Sequence, residues 1–217
     1  MPASDSILKF PIPSYSQCGE DRLVWKLFGY QSSGVYVDIG CHHPTNYSVT
    51  YLLYLAGWRG LVVDADNQYL PLFAEVRPED TVRNFAISNT PGTATLLLFK
   101  GGSMNTLDPA LAAHYEANTP AKRAGTRQVE VRRLDQLLAE AGITHVDFLN
   151  IDVEGHDLNV LESNDWDRWK PNIIAIEDQN IDLDAPQRSE IYQFLTRRGY
   201  YLHSQCHYTS VYCERRV

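Results

Sequence analysis

Short, nearly continuous apolar runs recur along the chain at residues 35–39 (VYVDI), 60–66 (GLVVDAD), 81–88 (TVRNFAIS), 146–152 (VDFLNID) and 172–178 (NIIAIED). Runs of this length without polar alternation predict strands buried on both faces, as in a parallel sheet covered by helices. The segments between them change to helical spacing. Residues 47–58 (YSVTYLLYLAGW) carry it up to Gly57, 69–78 (YLPLFAEVRP) suggest a second helix, and 134–142 (LDQLLAEAG) a third, closed by Gly142. An earlier amphipathic helix is predicted from Leu23, Val24, Leu27 and Phe28, with Ser16 as cap and Glu20 and Asp21 in its first turn. Strand, helix, strand in succession forms right-handed βαβ units.

Two further runs, 93–99 (TATLLLF) and 127–134 (RQVEVRRL), read as extra strands. The helix pattern at 189–199 leads into 200–205 and 208–214, placed to form a closing hairpin. The expected fold is therefore α/β: a doubly wound, mostly parallel sheet with a C-terminal antiparallel hairpin. Residues 101–127 break the rhythm, being small, polar and irregular; they predict either a cover over an active site and its acceptor or a mobile surface excursion. The first fifteen residues contain three prolines and no periodicity. They divide the chain into an extended arm, 1–15, and one domain, 16–217.

A chain of 217 residues is long enough to bury a core without disulfides or a structural metal. Its net charge of −8, from 27 acidic and 19 basic residues, argues against a nucleic-acid backbone as partner. Cys18, Cys41, Cys206 and Cys213 form no CxxC pair. Cys206 and Cys213 could face each other across the hairpin, but reduced thiols in a cytoplasmic protein are the simpler expectation. No stretch approaches the ~18 apolar residues of a membrane span, and the N-terminus lacks a leader pattern.

In such a sheet ligands sit beyond the carboxyl ends of the strands, so the loop after the first strand (DIGCHHPTNYS) belongs to the site. Asp38, Gly40, Asn46 and Ser48 are its candidate ligand contacts. One glycine and a proline do not make the GxGxxG turn that lets backbone amides approach a pyrophosphate, and no Walker-type GxxxxGK[ST] exists. A nicotinamide-dependent oxidoreductase is therefore a disfavoured alternative. An adenosyl ligand without phosphates needs only a close backbone approach at Gly40 and an acid such as Asp64 for its ribose hydroxyls. S-adenosylmethionine meets that description, although an Asp at a strand end is often only a turn former.

The ordered motifs SQCGED (16–21), VDIGCHHP (37–44), GWRGLVVDAD (57–66), RPED (77–80), NFAIS (84–88) and VDFLNIDVEGHD (146–157) resemble those of the FkbM family of S-adenosylmethionine-dependent methyltransferases. The resemblance implies a class I methyltransferase fold, with cofactor contacts at Gln17, Asp38, Gly40, Asn46, Ser48, Asp64 and the backbone around Ala86. It also implies that Asp152 and Glu154 lie at the methyl-transfer end. The chain departs from the family in having Cys41 for Ala, Asp157 for Glu, and SVT at 48–50 for Ser-Asn-Thr.

Asp152, Glu154, Glu177 and Asp178 follow consecutive core strands and should meet on one rim, where carboxylates repel unless protonated or bridged by a cation. Mg²⁺ or Mn²⁺ held by Asp152, Glu177 and Asp178 is the expected metal; helix capping by Glu154 and Asp157 is the plainer explanation of those two acids. Methyl transfer to a hydroxyl needs an acceptor for its proton. His156 is the first candidate base, with Glu154 and Asp157 as neighbours that would raise its basicity, and His43 the second. The 13 tyrosines and 4 tryptophans suit carbohydrate stacking. The expected activity is O-methylation of a sugar or other small hydroxylated acceptor, the rival being a non-catalytic scaffold of the same fold.

Overall fold

The computed structural model describes residues 13–179 and 181–215. Residues 1–12 of the expected arm lie outside them, and 13–15 carry no regular element. The chain order is α1 (Glu20–Leu27), β1 (Val35–Ile39), α2 (Tyr51–Leu55), β2 (Arg59–Asp64), α3 (Leu70–Val76), β3 (Thr81–Asn84), β4 (Ala86–Ile87) and β5 (Gly92–Phe99). It continues with α4 (Pro109–Asn118), β6 (Arg123–Arg132), α5 (Leu134–Glu140), β7 (Phe148–Ile151), α6 (Asp157–Glu162), β8 (Ile173–Glu177), α7 (Glu190–Thr196), β9 (Tyr200–Cys206) and β10 (Thr209–Glu214).

Seven strands form the main sheet in the order β3-β2-β1-β7-β8-β10-β9. Pairing is parallel from β3 through β8, while β10 runs antiparallel to both β8 and β9. The order reverses between β1 and β7, and the crevice at that reversal is where such sheets receive ligands. The unbroken apolar runs explain the burial on both faces. Val37, Ile39, Leu61, Val63, Leu149 and Ile151 pack into one core layer, and Tyr36, Val62, Phe148, Ile173 and Ala175 into the other. Among the described residues no helix is long and apolar enough to cross a membrane.

The sequence-based elements need several corrections. Residues 81–88 are not one strand: after Asn84, whose side chain donates to the Asp64 and Ala65 carbonyls, the chain leaves β2 and pairs through β4 with β6 in a separate sheet ordered β4-β6-β5. The irregular 101–127 stretch contains α4, a ten-residue helix begun by Asp108, whose Oδ1 accepts from Ala110 N, and by Pro109. β6 starts at Arg123 rather than 127 because it follows β5 along its whole length. Gly19, not Ser16, caps α1, although Ser16 Oγ accepts from the Gly19 and Asp21 amides. The hairpin register sets Cys206 against Thr209 and Cys213 against Tyr201, so the two thiols do not face each other; all four cysteines are free.

Candidate active site

One cavity of about 450 Å³ opens over the carboxyl ends of β1, β2, β7 and β8, within the range of small-molecule sites. Its floor is knitted by main chain: Gly40 N and Cys41 N both donate to Val63 O, and Asp152 N donates to Ile39 O. Gly102, Ser103, Met104, Asn105 and Leu107, with His114 and Tyr115 of α4, also line it.

Of the residues expected at the cofactor end, Gln17, Gly40, Asp64 and Ala86 line this cavity. Asp64 accepts from His42 N at 2.8 Å and from Asp66 N at 2.7 Å, which fixes its carboxylate at the end of β2, and burial raises its pKa to about 6. Asp38, Asn46 and Ser48 sit elsewhere. Asp38 is buried behind the cavity, accepting from Thr50 Oγ1 at 2.5 Å and Asn150 Nδ2 at 2.9 Å. Ser48 is also buried and accepts from Arg77 Nη1, while Asn46 is exposed with its amide donating to His43 Nδ1. The hub of this packing is Arg77, fully buried, whose guanidinium also meets Asp80, Tyr36 and Thr50. Asp38 and Ser48 thus hold the loop's shape from beneath, while Gly40, His42, Tyr47 and Val49 line the cavity.

At the other end, Asp152, Glu154 and Glu177 bring carboxylate oxygens within 4.8 Å of one another. Burial, then mutual repulsion, pushes all three pKa values upward. Glu154 Oε2 accepts from Tyr115 Oη, and Glu177 Oε1 from Gln179 Nε2 at 2.9 Å. Glu177 Oε2 is buried with no hydrogen-bond partner. Asp178, expected in this set, instead accepts from Ser189 Oγ at 2.5 Å and does not line the cavity; Glu154 takes its place because successive residues leaving β8 point to opposite sides.

His156 lines the cavity and its Nε2 lies 2.9 Å from Ser88 Oγ. Its sequence neighbours do not raise its basicity as expected. Asp157 turns back to accept from Val153 N and Gly155 N, Glu154 is taken by Tyr115, and burial lowers the His156 pKa. Burial also carries the Asp157 pKa up to about 7. His43 is a turn former outside the cavity, its Nδ1 accepting from the Thr45 and Asn46 amides, and its neighbour His42 lines the site instead.

Four of the five described non-glycine residues with left-handed backbone, His42, Tyr47, Glu154 and His207, line this one cavity. Such conformations cost of order 1–3 kcal/mol each and cluster where a site needs a side chain aimed. Sequence reasoning missed Tyr115, Gln179, His42, Tyr47 and the hairpin tip as cavity residues. The Asp-Pro pair at 108–109 was the available signal for α4, and therefore for Tyr115.

No curated protein matches the chain at a significant level. Among solved structures, a candidate RNA methyltransferase from Pyrococcus horikoshii is 11% identical with a TM-score of 0.46, over 94% of this chain and 92% of that one. Precorrin-6y C5,15-methyltransferase from Geobacter metallireducens GS-15 is 16% identical with a TM-score of 0.43, over 88% and 84%. The model of the methyltransferase FkbM domain matches residues 38–202, which include the loop after β1, the β2 acid and the β7 and β8 rim. The chain belongs to the FkbM methyltransferase family.

Proposed function

We propose that this methyltransferase takes its methyl group from S-adenosylmethionine and delivers it to an oxygen of a sugar or other small hydroxylated acceptor, releasing S-adenosylhomocysteine. One observation carries the reading: a single cavity joins a glycine-floored end bearing Asp64 to an end bearing three carboxylates. Gln17, Gly40, Asp64 and Ala86 are the cofactor side. Asp64 would accept from the ribose hydroxyls through the lone pairs that the His42 and Asp66 amides leave open. Asp38, Asn46 and Ser48 act by holding the loop.

The acceptor oxygen attacks the methyl carbon in line, the carbon–sulfur bond breaks with its electron pair on sulfur, and the hydroxyl proton passes to a base. His156 is that base in this reading, kept neutral by burial and fixed by Ser88. Asp152 and Glu154 orient the acceptor hydroxyls. The unpartnered Glu177 Oε2 supports a divalent cation held by Asp152, Glu154 and Glu177, a set of hard oxygen ligands suited to Mg²⁺ or Mn²⁺. Such a cation lowers the pKa of a bound hydroxyl. The net charge of −8 supports a neutral or cationic small acceptor over a polyphosphate chain, and four free cysteines support a reducing, cytoplasmic setting.

Calorimetry with S-adenosylhomocysteine and transfer of labelled methyl to a panel of hydroxylated acceptors test the reading. Saturable cofactor binding together with label on acceptor oxygen supports it. Absence of binding by the folded protein, or label found only on nitrogen or carbon, overturns it.

A further inference from the structure

The tip of the β9–β10 hairpin consists of His207 and Tyr208 between the paired residues Cys206 and Thr209. A tip this short ordinarily places glycine or asparagine where the backbone turns left-handed. Here the position is His207, at φ 53°. The turn is fixed by a built set of hydrogen bonds: Gln205 Nε2 donates to His207 O at 2.8 Å, and the buried Ser210 donates from Oγ to Gln205 Oε1 at 2.5 Å. The two rings lie tilted against each other, with centroids 3.8 Å apart and planes 39° from parallel.

Both residues line the cavity, and Tyr208 stays 48% exposed. They also adjoin the carboxylate rim, because Thr209 is the register partner of Glu177 and Asp178 N donates to Tyr208 O at 2.8 Å. Aromatic surface therefore stands beside a cluster of carboxyl oxygens. A ligand matching both must present an apolar face and several hydroxyl groups around its edge, which donate to an ionised carboxylate and accept from a protonated one. A phenol has the face but few hydroxyls; an open-chain polyol has the hydroxyls but no rigid face; a saccharide ring has both.

We propose that His207 and Tyr208 form the platform for the acceptor's apolar ring face, so that the acceptor is a saccharide whose hydroxyl edge meets Asp152, Glu154 and Glu177. The proposal rests on reading the cavity as the methyl-transfer site. Holding the turn through Gln205 and Ser210 pre-orders the platform, so the ring is not immobilised at the acceptor's expense.

Saturation-transfer NMR on the full chain with S-adenosylhomocysteine present tests it, using methyl glycosides, sorbitol and catechol as probes. Methyl glycosides should receive saturation at their ring C–H protons, and sorbitol should not. Tyr208→Ala should weaken glycoside binding by about threefold to tenfold, Tyr208→Phe should restore it, and cofactor affinity should hold in both. No glycoside signal, equal signal in wild type and folded Tyr208→Ala, or a preference for catechol overturns the platform. Failure of the wild-type protein to bind S-adenosylhomocysteine overturns the parent reading instead.

Discussion

A Cβ built on Gly40 would lie 1.7 Å from the carbonyl oxygen of Asp152, so the loop after β1 passes directly against the end of β7. The backbone at Gly40 is also left-handed, with φ +83°. Gly40→Ala meets both obstacles: the conformation costs an alanine roughly 1–2 kcal/mol, and the neighbour is main chain that has no rotamer to change. A loss of about 3 kcal/mol or more is expected in urea unfolding, with cofactor binding lost in whatever folds. A variant of wild-type stability and affinity would show that the two loops part easily.

Asp64 is fixed by two backbone amides and belongs to the proposed ribose contact. Asp64→Ala should weaken S-adenosylhomocysteine binding by about 1.5–3 kcal/mol, the range for hydrogen bonds to a charged group. Calorimetry on protein whose melting temperature is within a few degrees of wild type measures it. Unchanged affinity would remove Asp64 from the cofactor site.

The carboxylate rim separates two ligand sets that differ by one residue. If Glu154 rather than Asp178 completes the proposed cation site, Glu177→Gln should abolish Mn²⁺ binding followed by electron paramagnetic resonance, while Asp178→Asn leaves it intact. Methyl transfer should fall in EDTA and return with Mg²⁺ or Mn²⁺. Full turnover after exhaustive chelation would leave the three acids as direct hydrogen-bonding groups.

The sheet was legible because its strands are buried on both faces, and that burial writes continuous apolar runs such as 35–39 and 146–152. The closing hairpin was legible because two strand-like runs lie close together in sequence. Site residues were harder. Strand-end position brought Gly40, Asp64, Asp152 and Glu177 to one cavity, but position alone does not say which way a side chain turns. Asp38 and Ser48 turned inward because a buried guanidinium, Arg77, gathers the loop's polar atoms, and nothing local to residues 38–48 announces a partner so distant in sequence. Asp178 lies outside the three-carboxylate set because it adjoins Glu177 and so faces the other side.

Stability should fall as the pH rises. Burial raises the Asp157 pKa to about 7 and lifts Glu154 and Glu177 as well, so the folded chain holds protons that the unfolded chain has already released. The stabilisation is present at low pH and is lost as pH climbs through these folded-state values. His42, His43 and His156, with pKa values lowered by burial, act in the opposite sense below about pH 6.5. The clean window is therefore pH 6.5 to 8.5. In chelated buffer the melting temperature should decline across it, and Glu177→Gln should flatten the decline. A flat or rising wild-type profile would contradict the assigned shifts.

Helix α4 reaches the loop after β7 through Tyr115, whose hydroxyl donates to Glu154 Oε2 and receives Gln179 Nε2 at 3.2 Å, and residue 106 adds Thr106 Oγ1 donating to Glu154 O at 2.7 Å. These contacts hold Glu154 in a left-handed backbone that it would not keep alone. Tyr115→Phe keeps the ring's packing against Phe99 but removes one of the two donors to Glu154 Oε2, leaving Gln179 Nε2 at 3.4 Å. Displacing one orienting group costs alignment at the reacting atoms, so kcat or acceptor KM should worsen by about tenfold to a hundredfold, while S-adenosylhomocysteine affinity stays within about twofold. Shortening 109–118 should act in the same direction and more strongly. Steady-state kinetics with both substrates varied, beside calorimetry, distinguishes the outcomes. If either variant loses cofactor affinity and keeps its acceptor KM, the helix covers the cofactor rather than the acceptor.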